Sequence, residues 1–137
     1  KAYLNRLNDN NKKIQVMLDK ENNNSGYVCG RRFAVLEYSQ KSANNINTIR
    51  ERYMNAASAT PAAVFATLLN LNVHHVEKFE NEGKKIYIVT LKQEIVSLLP
   101  ANGFPSHLDL QDQGRFFVGY YHQMQELYTP KAKETDE

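Results

Sequence analysis

The segment Thr48–Phe65, TIRERYMNAASATPAAVF, restricts what this chain can fold into more than any other stretch of it. Arg50, Arg52 and Tyr53 lead into a run of small residues, Ala56, Ala57, Ser58 and Ala59, and Thr60-Pro61 ends that run. Proline at the first position of a helix has no N–H to leave unpaired, and a threonine hydroxyl just before it is a good N-cap acceptor. The pattern predicts a short helix from Thr48 to about Met54, a helix-breaking corner over the alanines, and a new helix from Pro61 with Thr60 as its cap. Such a corner is either a tight helix junction or a binding surface. Alanine side chains let another backbone come close, and Arg50 and Arg52 stand at its edge.

Elsewhere the apolar residues also recur at helical spacing. Leu4, Leu7, Ile14 and Leu18 share one face of a first helix, and a break follows at Asn22–Gly26 with Ser25 or a neighbour as cap. A second helix, from about Tyr27 to Ser42, buries Val28, Val35, Leu36 and one or both of Phe33 and Ala34, while Gly30 and Ala34 admit a close neighbour. Asn44, Asn45 and Asn47 mark the next junction. From Pro61 to about Glu80, Val64, Phe65, Leu68, Leu69, Leu71 and Val76 are in helical phase, and Gly83 reads as a stop signal. The stretch IYIVTLKQEIVSLL starts with β-branched residues, yet Leu91, Ile95, Leu98 and Leu99 favour helix and no partner strand is visible. Pro100–Leu108 is a loop, and a last helix runs from a cap at Asp109, with Asp112 in its first turn, to about Tyr128 before Pro130. The expected fold is all-α: one compact bundle of five or six helices with short loops over residues 1–130, and a disordered tail over 131–137.

A chain of 137 residues can close a single core without metal or disulfide staples. Its one cysteine, Cys29, has no internal partner and is expected to be a small buried apolar residue of a protein kept in a reducing compartment. No apolar run approaches a membrane span, and the leading KAYLNRLNDNNKK lacks a signal-peptide core, so a cytoplasmic protein is expected. Neither catalysis nor a cofactor is expected. His74 and His75 are adjacent, about 100° apart on a helix, and cannot both face one metal. His74 and Glu77 reverse the Glu-x-x-His order of di-iron bundles. No His-Glu-x-x-His, no His-Asp dipeptide, no phosphate-binding glycine loop and no nucleophile elbow occurs.

The formal net charge is +2, and KAKETDE at the end carries two positive and three negative residues, which leaves +3 for residues 1–130. That is too mild to argue nucleic-acid binding by itself, so the placement of the cations matters. They form four local pairs: Lys12 and Lys13, Arg31 and Arg32, Arg50 and Arg52, Lys84 and Lys85. Each pair is either a solvated helix face or a phosphate contact. Phe116, Phe117, Tyr120, Tyr121 and His122 surround Gly119 in a dense aromatic cluster. Most of these rings are expected in the core, and one tyrosine or His122 at the rim is the functional alternative, positioned to stack on a base or hydrogen bond a phosphate.

Taken in order and spacing, YVCGRRFAVLE, TIRERYMNAASATPAAVF and FPSHLDLQDQGRFFVGYYHQ resemble the C-terminal region of the large subunit of type I-C CRISPR Cascade. The resemblance spans about Tyr27 to Tyr128, and in that family the same region is also made on its own, by internal translation, as the small subunit. The length here fits that separate product, and the absence of a leading methionine before Lys1 fits residues preceding it or a cut from the longer protein. Arg32 departs from the family pattern, standing where an apolar residue is usual. The large subunit's front part, associated with reading the protospacer-adjacent motif, lies outside the matching segments, and its role is not carried over.

What the resemblance implies is a non-catalytic helical subunit in more than one copy along the belly of an RNA-guided surveillance complex. The implied partners are the Cascade backbone and large subunits, neighbouring copies of itself, the guide RNA, the target DNA, the displaced single strand and the recruited helicase-nuclease. For the grip on nucleic acid the expected residues are Arg50 and Arg52, supported by Arg31 and Arg32, with Lys84 and Lys85 as a looser patch. Arginine suits phosphate through its planar fork. Two alternatives stand beside this: Arg50 or Arg52 pairs with Glu37, Glu51 or a helix C-terminus, and the chain is a purely structural protein–protein module.

Overall fold

The computed structural model describes residues 16–44 and 49–129, with the side chains of Asn44 and of residues 70–76 outside that description. Five helices follow one another: α1 (Ser25–Asn44), α2 (Ile49–Ala59), α3 (Pro61–Glu77), α4 (Glu82–Val96) and α5 (Leu110–Tyr128). No strand occurs among the described residues, and the fold is all-α as expected. The ambiguous stretch from Ile86 is helical, with Ile88, Leu91 and Ile95 on its buried face.

The architecture is organised around α1. Every residue from Gly26 to Glu37 is buried, so this helix has core on all sides and shows little amphipathic contrast. On one side, Cys29, Phe33, Ala34 and Leu36 meet Ile49, Met54 and Ala57 of α2, Phe65 and Leu68 of α3, and Phe116 and Tyr120 of α5. On another side, Val28 and Val35 meet Phe79 and the α4 residues Ile88, Leu91 and Ile95. Each fully buried large apolar side chain contributes about 1.5–3 kcal/mol.

Helices α1 and α5 run parallel, in register from Gly26 beside Asp112 to Tyr38 beside Tyr128. Glycine sets their separation. A Cβ on Gly30 would lie 2.8 Å from both the Phe116 carbonyl carbon and the Tyr120 nitrogen, and one on Gly119 would lie 2.9 Å from the Tyr27 carbonyl carbon. Backbone therefore packs directly on backbone. At the N-terminal end, the Asn24 side chain caps α1 by accepting from the Tyr27 N–H at 3.1 Å and donates to Asp112 at 3.2 Å. Asp109 caps α5 as expected, accepting from the Asp112 N–H at 2.8 Å.

The corner after Arg52 lies later than the sequence pattern placed it. Helix α2 continues through the alanines to Ala59, because alanine is the best helix former and the break waits for proline. Thr60 closes α2, its hydroxyl donating to the Ala56 carbonyl at 3.1 Å, instead of accepting at the start of α3. Pro61 does open α3. The Ala62 N–H donates to the Pro105 carbonyl and the Leu108 N–H to the Ala59 carbonyl, both at 3.0 Å, so the loop before α5 laces over the junction.

Two further expectations change. Gly83 is not a stop signal: it sits in the first turn of α4, which Asn81 caps by accepting from the Lys84 N–H at 2.9 Å. Leu18 lies in a non-helical segment, tied down where the Met17 N–H donates to Gln125 at 2.8 Å and the Asp19 N–H to the Tyr27 hydroxyl at 2.9 Å. Leu4, Leu7, Lys12, Lys13, Ile14, Asn45, Asn47 and the tail from Lys131 lie outside the described residues, as do the side chains of Leu71, His74, His75 and Val76.

Candidate nucleic-acid interface

The first turn of α2 and the middle of α5 meet at Arg50. Its Nε donates to the Tyr120 hydroxyl at 2.9 Å, its guanidinium lies 5.5 Å from the Tyr120 ring centroid, and Glu37 Oε1 stands 3.6 Å away. Tyr120 also donates to the buried Glu37 carboxylate. The hydrogen bond from Arg50 to Tyr120 is the main reason the guanidinium is held above its ordinary range, and Glu37 and Tyr121 add to it. The expected pairing of Arg50 with Glu37 is thus present. Yet the Arg50 side chain remains 48% exposed.

Tyr121 extends this surface. It packs edge-on against Tyr120 at 4.9 Å between centroids and is 56% exposed. Arg52 is also exposed, but it stands about 200° around α2 from Arg50 and so on another side of that helix, and Tyr53 is half-buried against the core. The cluster of rings divides as its chemistry suggests: Phe116 and Tyr120 are fully buried, Phe117 and His122 are partly covered, and Tyr121 faces out. A cation anchored from beneath and a solvated ring beside it make a surface able to take a phosphate and stack a base.

Arg31 and Arg32 do not belong to that surface. Both are buried, at 2% exposure each, because they lie on the stretch of α1 that core encloses on all sides. Arg31 donates through Nε to the buried Gln123 side chain at 2.8 Å, and burial lowers its pKa. Burial brings Arg32 down to about 10. These cations act inside the fold, where no phosphate reaches them. The neighbouring Gly30, which admits a close helix, is the nearest thing to a signal of this in the sequence, and the pair itself carries none.

Lys84 and Lys85 sit in the first turns of α4, both half-buried. Lys84 stands 5.1 Å from the Tyr38 centroid and 5.6 Å from that of Phe79. Tyr38 in turn packs edge-on against Tyr128 at 5.3 Å, and Lys41 lies 5.3 Å from the Tyr128 centroid. Lys84 therefore joins a neighbourhood at the C-terminal ends of α1 and α5, built on Tyr38, Phe79, Lys41 and Tyr128, whereas Arg50 is held by Tyr120 and Glu37. Lys41, Tyr38 and Tyr128 were missed in sequence. Tyr121 and Tyr128, seven residues apart on one helix, were the readable hint of a shared face.

Cys29 is buried, and burial pushes its thiol up to about 12, as fits an inert core residue. No group of three or more His, Cys, Asp or Glu residues able to hold a metal ion occurs among the described residues. No helix among them is long and apolar enough to cross a membrane.

No curated protein matches the chain significantly. A family model described as CRISPR-associated protein (Cas_Csd1) matches residues 1–128. That match covers all five helices and both faces of α1, and so the chain belongs to the CRISPR-associated Cas_Csd1 family.

Proposed function

We propose that this chain is a non-catalytic helical subunit of a type I-C CRISPR Cascade, equivalent to the C-terminal region of its large subunit, and that it holds the displaced DNA strand through Arg50, Arg52 and Tyr121. The observation that carries this reading is the half-exposed Arg50, fixed from beneath by Tyr120 and Glu37 and flanked by the exposed Tyr121 ring, in a chain of a CRISPR-associated family. Forming an R-loop is nearly balanced in free energy, so modest contacts to the freed strand decide its yield. Repetition over several copies of the subunit then multiplies a weak grip. Lys84 contributes at most a separate contact, and Arg31 and Arg32 contribute none.

Three neutralised phosphates on a single strand give a salt slope of about −2, which is about a twentyfold loss of affinity between 50 and 200 mM salt. Replacing both Arg50 and Arg52 by alanine leaves about one contact and a loss of about threefold over the same range. In an assembled complex of unchanged composition, the double variant is expected to lower R-loop yield. Unchanged yield with an intact complex would refute the assignment.

A second reading has its own observation. Ile86, Val89 and Val96 are exposed on one face of α4, at 63%, 37% and 44%. That face suits a purely structural role against neighbouring protein subunits. Loss of assembly in a variant with polar residues at these positions, with a salt-insensitive association in the parent complex and no measurable single-strand affinity, would favour it over the strand-binding reading.

A further inference from the structure

Two solvent-facing tyrosines on α5 each have a cation beside them. Tyr121 and Tyr128 are 56% and 50% exposed. Seven residues of helix place them about 10 Å apart along the axis and within about 20° of the same face. At the first, Arg50 is held on the neighbouring Tyr120 ring. At the second, Lys41 from the last turn of α1 lies 5.3 Å from the Tyr128 centroid, and Tyr38 supports the same ring edge-on at 5.3 Å. Lys84 stands 5.1 Å from Tyr38, on the far end of the same chain of rings.

Resting on the strand-binding reading, we infer that Tyr128, with Lys41 and Lys84, is a second stacking position that continues the Arg50–Tyr121 surface into a track for single-stranded nucleic acid. The chemistry recognised is a base face over each exposed tyrosine and a backbone phosphate near each cation. Both parts are sequence-tolerant, because every base has a π-face and every linkage a phosphate. The supporting ring of Tyr38 and the parallel packing of α1 on α5 fix the spacing of the two positions before any strand arrives. A rigid two-position platform orders less of the protein on binding than a flexible one. This position also gives Lys84, which stands beside the Tyr38 and Phe79 rings, a place at the other end of the track.

The test uses the full 137-residue chain and fluorescent oligodeoxythymidylate of about 12 nucleotides, within the site sizes typical of such surfaces. Tyr128→Leu keeps apolar packing against Tyr38 and removes the flat face; it is expected to weaken binding at least about fivefold, the lower bound for one lost stack. Tyr128→Phe is expected to bind as the parent does. Lys41 adds one phosphate to the three counted above, so the parent slope becomes about −2.8, and Lys41→Ala with Lys84→Ala is expected to flatten it by about 1.4. If Arg50→Ala with Arg52→Ala weakens binding and none of the Tyr128 or lysine variants does, the track is refuted while the first surface stands. If neither set changes affinity, or the parent chain does not bind at low salt, both readings fall. A Tyr128→Leu variant that dissociates the assembled complex but binds oligonucleotide normally makes this a protein contact and overturns the track.

Discussion

Replacing Gly30 by alanine should separate the two central helices and cost stability, against the ordinary preference of a helix for alanine. That preference alone is worth about 1 kcal/mol in favour of the variant. Against it, the new Cβ would sit 2.8 Å from the Phe116 carbonyl carbon and the Tyr120 nitrogen, with the Phe116 carbonyl oxygen closer still. These are backbone atoms of α5, so no side-chain rotation relieves the contact. Ordinary contact begins at 3.4 Å. The helices must part by about 1 Å, and a gap of that size forfeits about a quarter to a half of the dispersion energy of the atoms facing it. Overpacking a close-packed core costs about 1–3 kcal/mol, and a backbone clash belongs at the upper end. After the propensity gain, a net loss of about 2 kcal/mol remains, a fall in melting temperature of roughly 8 °C for a domain of this size. The control is Gly114 on α5, where an added Cβ meets nothing within 4 Å. Gly114→Ala should raise stability by about 0.5–1 kcal/mol. Thermal and urea unfolding followed by circular dichroism reads both. If Gly30→Ala matches Gly114→Ala, α1 and α5 are not in backbone contact and the packing argument fails.

Tyr120→Phe removes the hydroxyl that joins Arg50 to Glu37 and is expected to cost about 1–3 kcal/mol in urea unfolding, since the buried carboxylate loses a donor; a change under 0.5 kcal/mol would count against the network. Arg31→Met should lower stability by leaving the Gln123 oxygen without its guanidinium donor, while the salt dependence of oligonucleotide binding stays as in the parent; a flatter salt slope would place Arg31 on the surface after all. The Cys29 thiol, at 0% exposure, should react with a thiol reagent at pH 8 only as fast as the protein opens. Its folded pKa of about 12 lies above the ordinary value of about 8.5, so its contribution to stability is complete below pH 8 and is lost as the pH climbs toward 12. Tyr87 and Tyr120 are shifted in the same direction, burial being the main cause. The urea midpoint should therefore fall on the alkaline side, and a midpoint constant to pH 11 would contradict these shifts.

The helices were legible where a local rule decides them. Asp109 with Asp112 marked the start of α5, Pro61 the start of α3, and the phase of Leu91 and Ile95 overrode the β-branched entry to α4. The errors came where two local rules compete. Alanines suggested bulk-free contact and a break, but their helix propensity won; Gly83 suggested an end, but the Asn81 cap made it a beginning. The site was legible in part. Arg50 could be singled out, and a ring at the rim could be expected without saying which, because an aromatic cluster on one helix must leave some ring outside. The burial of Arg31 and Arg32 could not be seen from the pair itself. It follows from α1 being enclosed by α2, α3, α4 and α5, which is a property of the assembly of helices and not of any one of them.

The enclosed helix also governs how the domain comes apart. The two apolar clusters share α1, one on each side, so displacing that helix opens both at once. One transition is therefore expected for probes in either cluster, and separate midpoints would show that α4 leaves α1 on its own. The contact that closes the structure joins residues about 90 positions apart, as Tyr38 and Tyr128 are, so chain closure comes late and folding is slow for an all-helical domain. Among the described residues α1 is thus the one helix whose removal would uncover both clusters together.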